Sequence, residues 1–180
     1  MIELMKKEEI AMESVGVEIE RKYIIEKPHV ELLSSQTDFT ESDITQIYLE
    51  SEPGQTRRIR ARAKNGRMSY TETRKIRIDK MSSTEIERDI TAEEFSKLAK
   101  LQRAGSRVIK KTRYTFVFEG QLFEIDVYPE WSRTAIMETE LASRESAVIM
   151  PHFLRIIREV TGIREYSNSA MSNSFPPEDL

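Results

Sequence analysis

Like charges two residues apart recur along this chain. Carboxylates pair this way at Glu18/Glu20, Glu85/Glu87 and Glu138/Glu140, and as E-x-D at Glu124/Asp126. Cations do the same at Arg58/Arg60 and Lys111/Arg113. Two is the strand period, so residues i and i+2 share one face of a sheet. Each pair therefore predicts a strand with a charged face. Val17 to Ile25 (V-E-I-E-R-K-Y-I-I) is the clearest case. Glu18, Glu20 and Lys22 point one way, and Ile19, Arg21 and Tyr23 the other.

Turn residues fix how the strands pair. Asn65-Gly66 separates two alternating runs, Thr56 to Lys64 and Arg67 to Asp79, and predicts a two-residue type I′ hairpin. Its register sets Arg58 opposite Thr73, Arg60 opposite Thr71, and Thr56 opposite Lys75. Glu119-Gly120 predicts a second hairpin, with Arg113 opposite Asp126 and Thr115 opposite Glu124. Lys111 shares their face. The other face of that hairpin carries Tyr114, Phe116, Phe118, Phe123, Ile125 and Val127. Further strands are expected at Gln46–Glu50, Thr84–Ile90 and Ala135–Leu141. A short helix should run from Pro28 to about Ser35, and a capped one from Thr91 to Ala104, with Glu94 completing a capping box. Residues Ser143 to Val160 read as a helix broken at Pro151. The organisation expected is an extension over 1–16, one domain over 17–171 and a disordered tail over 172–180.

Composition removes several classes of function. The net charge is only -3, although a third of the 180 residues are charged, so the chain lacks the basic excess of a nucleic-acid binder. It has no cysteine and two distant histidines, His29 and His152. That excludes a disulfide scaffold, a thiolate metal site and a cysteine nucleophile, and argues against a histidine-based zinc site. No apolar run reaches the ~18 residues of a membrane span. The expectation is a soluble cytoplasmic protein.

Too few amphipathic helices are present to cover a wide open sheet, so the strands should close into a barrel. With the aromatic faces inside and the charges outside, such a barrel is ordinary. The two-by-two repetition of sign has no role there. It has one in a polar tunnel, where carboxylates on one wall hold a divalent metal and cations on the other hold phosphate.

The motifs together resemble the CYTH, or triphosphate tunnel metalloenzyme, superfamily. This superfamily includes class IV adenylyl cyclases, thiamine triphosphatases and bacterial tripolyphosphatases. V-E-I-E-R-K-Y is similar to its E-x-E-x-K signature. Q-I-Y-L at Gln46, R-I-R at Arg58, Y-T-E-T-R-K ending at Lys75, E-I-E at Glu85, K-T-R-Y at Lys111, F-E-I-D-V-Y at Phe123, E-T-E at Glu138 and E-V-T-G with Y-S-N follow in the family's order. The resemblance covers about Val17 to Ala170. It implies an α+β, mainly antiparallel fold: an eight-stranded closed β-barrel, or tunnel, with a charged interior and a few flanking helices. By position, Glu18, Glu20, Glu138 and Glu140 resemble metal ligands for Mg²⁺ or Mn²⁺, with Asp126 at the metal or its waters. Lys22, Arg58, Arg60, Lys75 and Arg113 resemble the phosphate cradle. Lys111 resembles the lysine proposed to orient or activate the attacking water. Glu85, Glu87 and Glu124 should balance the cations.

Some features depart from the pattern. About 16 residues precede the signature. The hairpin from 58 to 75 is long enough that Arg62 could take the place of Arg60. No lysine follows Lys111, so the late lysine of the thiamine enzymes has no equivalent. The leading expectation is hydrolysis of a small-molecule linear triphosphate, inorganic tripolyphosphate first. The alternatives are a class IV adenylyl cyclase and a non-catalytic polyphosphate or nucleotide binder. No nucleic-acid or membrane partner is expected. Pairing through an outer face makes a homodimer the assembly to test.

Overall fold

The computed structural model describes residues 13–178. Nine strands form one antiparallel sheet: β1 (Glu13–Glu26), β2 (Thr37–Leu49), β3 (Gln55–Lys64), β4 (Arg67–Arg77), β5 (Ser82–Asp89), β6 (Ile109–Phe118), β7 (Gln121–Val127), β8 (Thr134–Glu140) and β9 (Ile156–Glu159). Their order is β5-β4-β3-β2-β6-β7-β8-β1-β9, and a further β5–β1 pairing closes eight of them into a barrel. β1 is the seam. Its first half pairs with β5, as Gly16 with Glu85, and its second with β8, as Glu20 with Glu140. β9 adds to the outer part of β1. Closure leaves the eight strands without a free edge.

Both hairpins hold the expected register. Arg58 faces Thr73, Arg60 faces Thr71, and Arg113 faces Asp126. Asn65 and Gly66 have φ of 50° and 72°, and Glu119 and Gly120 have 48° and 76°, the left-handed pairs that a type I′ turn requires.

With the charged faces inward, the barrel is apolar outside and needs cover. Phe116, Phe123, Ile125, Tyr23 and Met137 form one outer cluster, with Val148, Met150, Phe153 and Ile156 packed over it. A second cluster, around Ile47, Leu49 and Ile59, lies under Phe95 and Leu98 of helix α2 (Ala92–Ala99). On the same side the carboxylate of Glu72, only 3% exposed, accepts from Arg57 and Arg88. A third cluster stops one end of the barrel: Ile24, Tyr48, Ile109, Tyr128 and Ile136, closed off by Trp131, Val160, Tyr166 and Met171.

Several elements differ from the sequence expectation. Residues 13–16, assigned to an extension, already belong to β1, and residues 1–12 lie outside the described residues. β2 begins at Thr37 rather than Gln46, because the polar run from Thr37 to Asp43 pairs with β6. The short helix α1 spans Val30–Ser34 with His29 at its N-cap, one residue beyond Pro28. The capping box of α2 is present as expected, but the helix ends at Ala99. The chain is then drawn away, with Gln102 bridging Leu49 and the N–H of Arg103 donating to the carbonyl of Tyr48. Residues 143–160 form no helix. Their apolar side chains lie flat on the outer cluster, and the Gln121 amide satisfies the carbonyl of Ala147 and the N–H of Ile149 that a helix would have used.

The tail expected to be disordered is held as far as 178; residues 179–180 lie outside the described residues. A further short helix, α3 (Asn168–Met171), leads into it. Phe175 packs edge-on against Tyr128 and Trp131, and the Trp131 indole N–H donates to the carbonyl of Pro176 at 3.1 Å. The Glu178 carboxylate accepts from the N–H groups of Arg133 and Thr134 and from the hydroxyl of Ser132. Burial opposes ionisation of Glu178, but these donors outweigh it and hold its pKa down to about 2. The group therefore anchors the tail above its ordinary value of 4.5 and lets go as the pH falls towards about 2. Trp131 is the sole tryptophan. Its fluorescence is expected to change across that acid window, and Glu178→Gln should shift or remove the transition.

Candidate active site

Parity along each strand places the predicted residues on the inner wall. A cavity of about 1050 Å³ runs through the barrel and is lined by Glu18, Glu20, Lys22, Arg58, Arg60, Lys75, Arg113, Glu138 and Glu140 among others. Nine of the eleven residues anticipated for metal, phosphate or chemistry line it; Lys111 and Asp126 do not.

Three groups of ion pairs occupy the interior. Lys22 Nζ lies 2.7 Å from Glu138 and 3.9 Å from Glu20. Lys75 Nζ lies 2.8 Å from Glu85 and 3.1 Å from Glu18, and Arg58 stands 3.6 Å from Glu85. Arg113 is the hub of the third group. It donates to both oxygens of Asp126, at 2.6 and 2.7 Å, to Glu138 at 3.1 Å, and to Glu124. Glu85 and Glu124 therefore balance cations as expected, whereas Glu87 accepts from the Thr73 hydroxyl at 2.7 Å.

Two predicted residues stand one layer behind the cavity wall. Asp126 is wholly buried and spends its oxygens on Arg113 and on Lys111, whose Nζ is 2.5 Å away. The Lys111 side chain is 0% exposed, and burial, then the nearby Arg113 charge, push its pKa down to about 7. Neither group lines the cavity. As the side chains stand, Asp126 anchors cations and Lys111 packs against Asp126 and the Tyr128 ring.

The carboxylates have an electrostatic conflict. Burial raises the pKa of Glu18 to about 7, and the Glu85 charge adds to it. Burial also raises Glu140, with Glu124, Glu20 and Glu85 contributing. Glu138 goes the other way, because Lys22 and Arg113 outweigh its burial. Among the described residues no three carboxylates stand at metal-ligand spacing; Glu138 is turned to Lys22 and Arg113, and Glu18 to Lys75. The donor set is all oxygen, and Glu18, Glu20 and Glu140 repel one another in a confined space. That chemistry fits a hard divalent cation such as Mg²⁺ or Mn²⁺.

Arg60 is the exception among the inner cations. It has no carboxylate partner among the described residues. Its nearest acceptor is the Gln46 amide oxygen at 3.5 Å, and its Nε is buried without a hydrogen bond. Burial, then Arg58 and Arg113, lower its pKa to about 10. Arg62 instead donates to Ser42 at 3.0 Å and does not line the cavity, so Arg60 is the inner arginine of β3.

Sequence reasoning gave no role to Gln46, Tyr128, Thr161 or Asn168. Gln46 donates to the Tyr48 hydroxyl and accepts from Arg60. The Tyr128 hydroxyl donates to Asn168 at 2.8 Å, and Thr161 accepts from the N–H of Lys22. Q-I-Y-L and Y-S-N are visible as motifs, but Arg60 and Tyr128, which Gln46 and Asn168 meet, lie far from them in the chain.

An unpaired buried cation costs stability that a bound anion recovers. Arg60→Met should therefore raise the melting temperature, by about 1 kcal/mol or more of stability, while weakening phosphate binding. Thermal unfolding with and without inorganic tripolyphosphate checks both halves. A melting temperature that falls without ligand would mean Arg60 is structurally compensated.

No family model and no curated protein matches the chain. Solved structures do. The inorganic triphosphatase NE1496 is 28% identical with a TM-score of 0.56, the match covering 89% of this chain and 97% of that one. PH1819 from Pyrococcus horikoshii OT3 is 23% identical with a TM-score of 0.55, over 71% and 80% of the two chains. A putative adenylate cyclase from Bacillus halodurans is 18% identical with a TM-score of 0.50, over 73% and 83%. The last two are likenesses of fold. The closed barrel, its inward charges and these neighbours together bear out the resemblance to the CYTH, or triphosphate tunnel metalloenzyme, superfamily: the solved structures this chain resembles have that tunnel fold.

Proposed function

We propose that this protein hydrolyses a linear triphosphate with a divalent metal, and that inorganic tripolyphosphate is its substrate. The observation that carries this reading is the charge layout of the cavity. Its carboxylates crowd one another, and Arg60 is buried without a counter-charge. A metal-bound polyphosphate answers both deficits at once. The similarity to a protein described as an inorganic triphosphatase supports it.

The roles follow from position. Glu18, Glu20 and Glu140, with Glu138, hold Mg²⁺ or Mn²⁺. When bound, the ion supplies Lewis-acid polarisation of phosphate oxygens. Lys22, Arg58, Arg60, Lys75 and Arg113 take the non-bridging oxygens and neutralise charge on the transferring phosphoryl group. Water attacks the terminal phosphorus, the anhydride P–O bond breaks, and orthophosphate and pyrophosphate leave. Lys111 acts from behind, fixing Asp126 and through it Arg113. Its expected place at the attacking water would require it to leave Asp126. A cytoplasmic location suits such a substrate, and no helix among the described residues is long and apolar enough to cross a membrane.

Phosphate release from tripolyphosphate and ATP, with Mg²⁺ and then Mn²⁺, tests the reading. Fast turnover of tripolyphosphate and little of ATP is expected. Cyclic AMP from ATP would make the protein a cyclase instead. Glu20→Gln and Glu140→Gln should each lower turnover by about 100-fold or more without lowering the melting temperature. Full activity in either variant would refute the metal assignment.

A further inference from the structure

The apolar outside of the barrel has a gap in its cover, and the gap lies on the seam. β5 runs between β4 and β1, and the outward residues of the three strands align in rows. Ile76, Thr84 and Val17 form one row, and Arg74, Ile86 and Val15 the next. In the row on the other side, Ile19 pairs with Ser82, and the Ile78 N–H donates to the Ser82 carbonyl. Val15 is 68% exposed, Val17 64%, Ile78 56% and Ile76 38%. A lone exposed valine or isoleucine needs no explanation, but these adjoin in one patch.

The cover stops at both borders of this patch. From α2, Glu94 reaches as far as Arg88 on β5, at 3.3 Å. From the segment after β8, Arg144 reaches as far as Ser82 and donates to its hydroxyl at 2.8 Å. Between them, none of Val15, Val17, Ile76 and Ile78 belongs to an apolar cluster of the described residues. Arg74, in the same patch, is exposed and has no ion-pair partner among the described residues.

Length, charge and area point to one occupant. The residues before β1 are M-I-E-L-M-K-K-E-E-I-A-M, apolar over Met1–Met5 apart from Glu3 and charged over Lys6–Glu9. β1 begins at Glu13, two residues from Val15. The patch measures about 13 Å along the strands and about 10 Å across them. The stretch from Lys6 to Met12 can span about 23 Å, enough for the chain to double back and lay Met1–Met5 on the patch. Glu8 and Glu9 are then within reach of Arg74 and of opposite sign. A second copy of the chain fits less well. The patch offers a few hundred Å², whereas a stable pair buries about 800 Å² on each partner.

We infer that residues 1–12 fold back over β1, β5 and β4 and clasp the seam, with Ile2, Leu4 and Met5 against Val17, Ile76 and Ile78. The clasp holds the β1–β5 pairing that closes the barrel, and it backs the strand whose other face carries Glu18. It is independent of the proposed triphosphate chemistry, and its test uses no substrate. The chain has no cysteine, so an introduced pair reports contact without interference. Met5→Cys with Ile76→Cys, in the full chain under mild oxidation, should form an intramolecular disulfide about 10-fold faster than Met5→Cys with Ile149→Cys. Ile149 is a comparably exposed control on the segment held by Gln121. Leu4→Ser and Val17→Thr should each lower the melting temperature by about 2 °C or more. Together they should lower it little further than the larger single change, because they remove two sides of one contact. Equal disulfide rates for the two pairs, or an unchanged melting temperature in Leu4→Ser, overturn the clasp. Disulfides between chains, with a dimer in sedimentation, also overturn it and give the patch to a second copy.

Discussion

A barrel that turns its charges inward must neutralise them across its own wall. An isolated buried ion is far more costly than a paired one, and a pair roughly breaks even only with good geometry and added hydrogen bonds. Arg113 shows the solution. Its guanidinium serves Asp126, Glu124 and Glu138, which come from β7 and β8, while Asp126 also holds Lys111 beside it on β6. Such a network contributes little net stability, so the fold draws its stability from outside. The aromatic face of the β6–β7 hairpin is buried under residues 148–156, and the Ile47–Ile59 face under α2. Inside and outside have exchanged their usual duties.

This exchange also explains what was legible in the sequence. Strand period, the two type I′ turns and their registers follow from neighbours in the chain, and they alone place Arg58 by Thr73 and Arg113 by Asp126. The recurring like-charge pairs show that the strands have charged faces, and the family resemblance gives the direction in which they point. What was illegible depends on distant partners. Thr37–Asp43 reads as loop until β6 is beside it. Residues 143–160 have helical composition, but an outer apolar face competes for their side chains and Gln121 for their backbone. The tail reads as disordered because Glu178 has no attraction for its sequence neighbours; its donors are on Arg133 and Thr134. Asp126 and Lys111 share an inward parity with the cavity residues, and only depth separates them from the wall.

The same ion pairs make the cavity responsive. The carboxylates suited to a metal are held by lysines suited to phosphate: Lys22 on Glu138 and Lys75 on Glu18. A cation drawn to the glutamates would free the lysines, and an anion drawn to the lysines would free the glutamates. Under the proposed function, binding of the two would therefore be coupled through shared side chains, with no change of fold required.

β1 has no local partner. It meets β5, β8 and β9, and its Glu20 lies opposite Glu140 near the far end of the sheet. β1 precedes all three of these strands in the chain and must wait for them. Contacts of such large sequence separation slow folding, because loop closure precedes any reward from pairing. β1 is also the strand that carries Glu18, Glu20 and Lys22. The last seam to close is thus the one that assembles the chemistry, and a partly made barrel has no functional interior.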